Sequence, residues 1–463
     1  PIYHKLKVYT AYEYLETRFD LKTRTLTALL FLIQRSLSAG ITIFAPAIIL
    51  SSVLGWDLTT LNIILGLLVI IYTVSGGTKA VNYTQKYQMG IIFIGLLICL
   101  AVIINLLPEN ISFRNAIDIA GANSKLEVLN FSFDLENRYT IWSGLLGGTF
   151  LMMSYFGTDQ SQVQRYLSGK SLKEMQLGMI FNGILKIPMQ FFILFIGVMV
   201  FVFYQFNSSP INFNPQSINT INNSTYEKDY NTLQNELNNI FNEKQYQINN
   251  YVSGNYDAKY GLSELELKET KLRLEAKNLI ALASKEKKIK VETNDKDYVF
   301  ITFILENLPK GLIGLLLAVI LSAAMSSTSS EINALATTTA IDIYKRNKEN
   351  VSDQELVKIT KFFTFFWGLI AIGIACVAYL ADNLIQLVNI IGSIFYGNVL
   401  GIFLIAFFLK YIKSNAIFFG AIITQIIIIY GWYSDWMPFL WLNVFGCIVV
   451  ITISSLLQLA QKN

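Results

Sequence analysis

Along most of this chain, apolar residues run in stretches of about twenty, broken by short polar segments. Stretches of that length fit a bilayer. They predict ten spanning helices, at 26–54, 58–78, 88–107, 140–158, 176–205, 299–341, 358–381, 384–409, 416–432 and 436–458. The sixth is too long for one straight span, and it predicts a short lead-in helix over 299–309 that stops at Pro309-Lys-Gly. One segment breaks the pattern. Residues 206–298 are rich in Asn, Gln, Lys, Glu and Tyr. The expected organisation is therefore a membrane block over 1–205, a polar insert over 206–298 and a second membrane block over 299–463. Within the insert, Asn207 to Ser224 reads as disordered. Apolar residues at helical spacing over 226–241 and 262–287 predict a helical hairpin.

Charge then orients the spans. Basic residues cluster in alternate loops: the N-terminal segment, Lys79 and Lys86, Arg165 to Lys173, Lys345 to Lys361, and Lys410 with Lys413. The turns near Asp57, Asp382 and Asp435 carry no Lys or Arg. Basic short loops stay on the cytoplasmic side. The insert is therefore expected outside the cytoplasm, and the C-terminus within it. The chain is 53% hydrophobic and 15% charged, well below the charge of a soluble protein. Its net charge of +4 lies in loops and implies no nucleic-acid partner. Cys99, Cys376 and Cys447 sit in apolar runs without metal-type spacing. The single histidine, His4, lies outside the spans, which argues against intramembrane histidine chemistry and an enzyme.

Polar residues inside the apolar runs carry the candidate chemistry. In Leu321 to Glu331, small and hydroxyl residues stand where Leu and Ile would be usual. Ala323, Ser326, Ser327 and Ser330 share one helical face. Its hydroxyls and a carbonyl are hard oxygen ligands of the kind sodium takes. The same pattern also fits close helix packing, with hydroxyls bonded back to i−4 carbonyls. Arg35 falls about nine residues into its span, roughly 13 Å deep. A charge there must be paired or face water. It reads either as a clamp for an anionic solute or as an ion-pair partner of Glu331, at similar depth. The cluster Asp159, Gln160 and Arg165 at the end of the fourth span reads as a solvated helix terminus or an inner gate. Gly76-Gly77, after an apolar run, predicts a helix break.

Four stretches, in order, resemble the sodium/solute symporter family of glucose, proline, iodide, multivitamin and monocarboxylate cotransporters. They are Tyr9 to Phe19, Tyr72 to Gly77, Thr158 to Arg165, and Met325-Ser-Ser327 running on to Asp342-Ile-Tyr-Lys345. The resemblance implies an all-α polytopic protein with the leucine-transporter-type inverted-repeat fold. It further implies sodium-coupled symport of a small solute by alternating access in the cell (inner) membrane. Counted back from Asp342, the family's sodium ligands fall on Ala323, Ser326 and Ser327. Where some members carry Asp for a second sodium, this chain has Thr84-Gln85. Where sugar carriers have a Gln, it has Val388 beside Asn389. Asn389 and Arg35 are therefore the expected solute contacts, and the solute an organic anion such as a monocarboxylate. Family members have about thirteen spans, so a front end including the broken first core helix is expected outside this sequence, which starts at Pro1. The rival reading is a receptor built on the same fold; such a sensor carries a signalling module after the last span.

Overall fold

The structure is a computed structural model. It describes the chain except residues 1, 7, 128, 168, 170, 290, 349, 379–383 and 462–463, and, within helices, the side chains of 76–86 and 384–385. Among the described residues the regular secondary structure is all helical, and nine helical segments are long and apolar enough to cross a membrane.

The chain enters through two short helices, α1 (Ile2–Leu6) and α2 (Glu13–Arg18), and then α3 (Leu21–Leu54). Asp20 caps α3 by accepting from Thr23 N at 2.9 Å, and Gly55 ends it in the left-handed region at φ 68°. Next come α4 (Leu58–Asn105), with apolar stretches at Leu58–Ser75 and Tyr87–Asn105, and α5 (Phe113–Ala122). The predicted break at Gly76-Gly77 and the Thr84-Gln85 pair lie outside the described residues. The expected fourth span is a helical run over 141–157 containing a π turn at Ser143–Gly147 and α6 (Gly148–Gly157). It is shorter than its sequence pattern implied and is not among the nine. After α7 (Gln160–Leu167), α8 (Leu172–Phe206) begins with Ser171 capping Glu174 N at 3.2 Å.

The insert holds α9 (Pro215–Asn222), α10 (Glu227–Val252) and α11 (Ala258–Lys287). The hairpin is as expected and longer. The disorder expected over 207–224 is overturned. Ile211 and Ile221 are buried, and Asn212, Asn214 and Ser217 are fully so. Their side chains bond the returning segment: Asn214 Nδ2 donates to Glu292 O at 2.9 Å and Ser217 Oγ to the same carbonyl at 2.8 Å. Asn residues that composition scores as disorder here replace a backbone ladder.

Then follow α12 (Val299–Asn307), α13 (Lys310–Thr338), a π turn over Thr339–Lys345, α14 (Asp353–Ala375), α15 (Leu384–Phe408), α16 (Ser414–Tyr433) and α17 (Phe439–Ala460). The lead-in helix stops as the sequence predicts: Leu308, before Pro309, is extended at ψ 153°. Helices pack closely where side chains are small. A Cβ on Gly397 would meet the Asn443 carbonyl at 2.5 Å, and one on Gly40 would meet the Ile374 side chain at 2.6 Å or less. The main core joins α3, α14, α15 and α16; a second joins α5, α8 and α12 to Ile248 and Leu262 of the hairpin.

Candidate functional site

Four helices bring one buried polar cluster together. Arg35 on α3 is 3% exposed. Its Nη1 donates to Glu331 Oε1 of α13 at 3.0 Å. Its Nη2 donates to Tyr396 OH of α15 at 2.7 Å and to Asp159 Oδ2 just before α7. Tyr396 OH in turn donates to Asp159 Oδ2 at 2.7 Å. Each carboxylate has a second support. Ser161 N and Oγ donate to Asp159 Oδ1 at 2.9 and 2.6 Å, and Thr42 Oγ1 donates to Glu331 Oε2 at 2.7 Å. The Tyr155 ring lies 5.8 Å from the Arg35 guanidinium. Only the planar fork of arginine reaches acceptors on three elements at once. The cluster carries one cation and two carboxylates, so its surplus is negative. Beside it, the void bordered by Gln34, Asp159 and Tyr396 is about 10 Å³, no more than one water needs.

The sequence expected Arg35 to be either a partner of Glu331 or free for a solute. The structure shows the contact with Glu331 and adds Asp159 and Tyr396. Sequence reasoning missed Tyr396, whose one signal is a lone tyrosine in an apolar run, four residues past Gly392. Gln160 clamps the N-terminal segment: its Oε1 accepts from Ala11 N at 3.0 Å and its Nε2 donates to Tyr9 O at 2.9 Å. Arg165 is half-buried in the last turn of α7. Between it and Gln160, Gln164 Nε2 donates to Ser330 O at 3.0 Å, latching α7 to α13.

The hydroxyl face of α13 lies one turn before Glu331. Ser326 is 1% exposed, and Ala323 and Ser327 are half-buried. Two neighbours bond back along the helix: Thr328 Oγ1 to Ala324 O at 2.9 Å and Ser330 Oγ to Ser326 O at 3.1 Å. The Ser327 hydroxyl makes no hydrogen bond among the described residues. The Ala323 carbonyl keeps one lone pair beyond its helical bond. Three oxygens of this kind suit a hard cation but supply about half of the shell it takes. Asn389, half-buried on α15, sits two turns before Tyr396 and so shares its face.

The sequence model described as the Sodium:solute symporter family matches residues 1–242 and 271–424. The Homo sapiens sodium/iodide cotransporter is 25% identical over 421 residues, covering 91% of this chain and 53% of the relative. The Homo sapiens sodium-coupled monocarboxylate transporter 1 is 26% identical, covering 89% and 55%. The Oryctolagus cuniculus sodium-dependent multivitamin transporter is 26% identical, covering 88% and 52%. The chain thus spans about half the length of the curated relatives it matches. A solved Na+-coupled sialic acid symporter in a substrate-bound outward-open state superposes with a TM-score of 0.71 at 21% identity, covering 98% of this chain and 78% of that one. The fold is therefore the all-helical, leucine-transporter-type one.

Proposed function

Because this chain belongs to the sodium:solute symporter family, we propose that it forms the body of a sodium-coupled symporter for a small solute, working by alternating access. The observation that carries the reading is the Ala323, Ser326 and Ser327 oxygen face on α13, one turn from the closed Arg35 cluster. Sodium, as coupling ion, would take the Ala323 carbonyl and the two hydroxyls. It is a cargo of the cycle.

In this reading Arg35, Asp159 and Tyr396 are a gate more than a solute clamp. Three acceptors already hold the guanidinium, and the void bordered by Gln34, Asp159 and Tyr396 is about 10 Å³, too small for a solute. Opening the gate would separate α3 and α13 from α7 and α15. Gln160, Gln164 and Arg165 would couple that motion to the N-terminal segment and the ion helix. Sodium drives the cycle only by binding one gate state better than the other. Asn389, on the Tyr396 face, is the residue we assign to the solute. An organic anion, such as a monocarboxylate, remains the favoured class, supported by a relative named for monocarboxylates. The insert is placed outside the cytoplasm of the cell membrane by the basic-loop pattern.

The test is uptake of labelled propionate and iodide into proteoliposomes under an inward sodium gradient, using the protein as the cell makes it. Sodium should raise uptake of one of them several-fold over choline. Equal uptake of both in the two media would sink the assignment.

A further inference from the structure

Where the α10–α11 hairpin meets the end of α8, a cavity of about 520 Å³ opens that the transport reading leaves unused. That is the size of a small-molecule site. Five cationic side chains line it, Lys125, Lys244, Arg273, Lys277 and Lys296, against three carboxylates. The surplus is therefore two positive charges.

The carboxylates are already occupied. Glu266 accepts from Lys244 at 2.7 Å and Lys125 at 3.2 Å. Glu269 accepts from Lys244 at 2.6 Å and Arg273 at 2.8 Å. Asp295 accepts from Phe213 N at 3.0 Å and faces Lys277 only loosely, at 3.6 Å. Lys277 is half-buried and Lys296 exposed, so both can turn their charge to the cavity.

Two further features point to a ligand. Tyr204 and Gln205 are among its lining residues, and the Tyr204 hydroxyl and Gln205 Oε1 are buried with no hydrogen-bond partner among the described residues. Buried polar atoms of that kind cost free energy until a partner meets them. The walls are flat and aromatic: Lys125 Nζ lies 4.6 Å from the Phe201 ring centroid, and Arg273 5.8 Å from that of Phe213. Arg273 is fixed there by the Pro210 and Ile211 carbonyls at 3.1 and 3.0 Å, so the wall is pre-formed.

We propose that this cavity binds a small aromatic carboxylate bearing a hydrogen-bond donor. Lys277 and Lys296 hold the carboxylate, the rings of Phe201, Tyr204 and Phe213 hold the aromatic part, and Gln205 Oε1 accepts from the donor. The site is separate from the Ser326–Ser327 face, none of which lines it.

Calorimetric titration of the purified chain with 4-hydroxybenzoate, in choline without sodium, tests the assignment. The neutral isostere 4-hydroxybenzamide is the control. The acid should bind saturably and the amide on the order of tenfold more weakly. Lys277→Gln with Lys296→Gln, both away from the core, should weaken the acid by on the order of tenfold and leave the amide unchanged. Absence of saturable binding, equal binding of acid and amide, or binding only when sodium is present would each overturn it. The acid–amide comparison stands on the unaltered protein even if the double variant folds poorly.

Discussion

Arg24 Nε donates to Asp342 Oδ1 at 2.7 Å, tying the first turn of α3 to the π turn that ends α13. The pair sits in a chain of charges. Thr10 Oγ1 donates to the same Asp342 oxygen at 2.8 Å, Arg24 Nη1 donates to Glu16 Oε2 at 2.7 Å, and Arg346 Nε donates to Glu16 Oε1 at 2.7 Å. Asp342 is 1% exposed and Arg24 6%. Removing one partner of such a pair strands a buried charge, at a cost of about 3–5 kcal/mol. Arg24→Ala should therefore lower the thermal midpoint in detergent sharply, whereas Arg346→Ala, at an exposed partner, should move it little. Equal shifts for the two would show that burial at Asp342 does not set the energetics.

Arg35→Lys keeps the charge but loses the fork that holds Glu331, Asp159 and Tyr396 together. Sodium-driven uptake should fall by on the order of tenfold or more, although a cation remains. The Glu331 side chain is 12% exposed against 0% for Asp159, so Glu331→Gln should cost less stability than Asp159→Asn. Thermal unfolding of the three variants ranks them directly. A Lys variant with unaltered uptake would remove the gate assignment.

Much of this was legible from residue pattern. The existence of most spanning helices, the stop at Pro309 and the insert hairpin followed from apolar period and from proline chemistry, while the lengths of the fourth span and of the hairpin did not. Depth offered Glu331 as a partner for Arg35 but left a solute clamp equally open, and hydrogen-bond geometry alone chose the contact. Tyr396 and the Arg24–Asp342 tie were not legible, because each joins positions far apart in sequence: 361 residues separate Arg35 from Tyr396 and 318 separate Arg24 from Asp342. No periodicity records which helices become neighbours. Composition misled at Asn207 to Ser224, since it cannot tell an asparagine that solvates a coil from one that replaces a backbone partner.

The insert carries its own pH dependence. Burial pushes the Glu269 carboxyl up, but the Arg273 and Lys244 cations beside it win and hold it below its ordinary value. A lowered folded value means that the stability it lends is present above the ordinary carboxylate range, about 4.3. That stability is lost as pH falls through the folded value. Protection of α10 and α11 amides against hydrogen exchange, corrected for intrinsic rates, should drop below about pH 4. Glu269→Gln should flatten that dependence. A profile unchanged by the substitution would exclude this ion cluster as its cause.

The expected placement of 206–298 outside the cytoplasm is open to a direct measurement. Its hairpin exposes Lys259 and Lys268, so trypsin has sites to attack. Trypsin added to intact cells should cut within the insert and leave the spans whole. Cleavage seen only after permeabilisation would invert the whole topology, since every short basic loop was assigned together.

The last prediction concerns Ser327. Its hydroxyl makes no hydrogen bond among the described residues, whereas its neighbours Thr328 and Ser330 bond back to the helix. A hydroxyl spared from that bond is free to meet a cation, and truncating it leaves no protein partner stranded. Ser327→Ala should thus fold normally, with a thermal midpoint close to that of the unaltered chain. If it ligates sodium, the lost oxygen should raise the sodium needed for half-maximal uptake by on the order of tenfold, the equivalent of about 1.4 kcal/mol. The solute concentration for half-maximal uptake should change less when sodium is saturating, because coupling passes through ion occupancy and is restored by mass action. Thr328→Val supplies the comparison. It removes a hydroxyl one residue away, already bonded to Ala324 O, so its effect should appear in stability and not in the sodium dependence. The two variants therefore separate an ion ligand from a packing hydroxyl on the same turn. An unchanged sodium curve for Ser327→Ala would assign this face to helix packing alone.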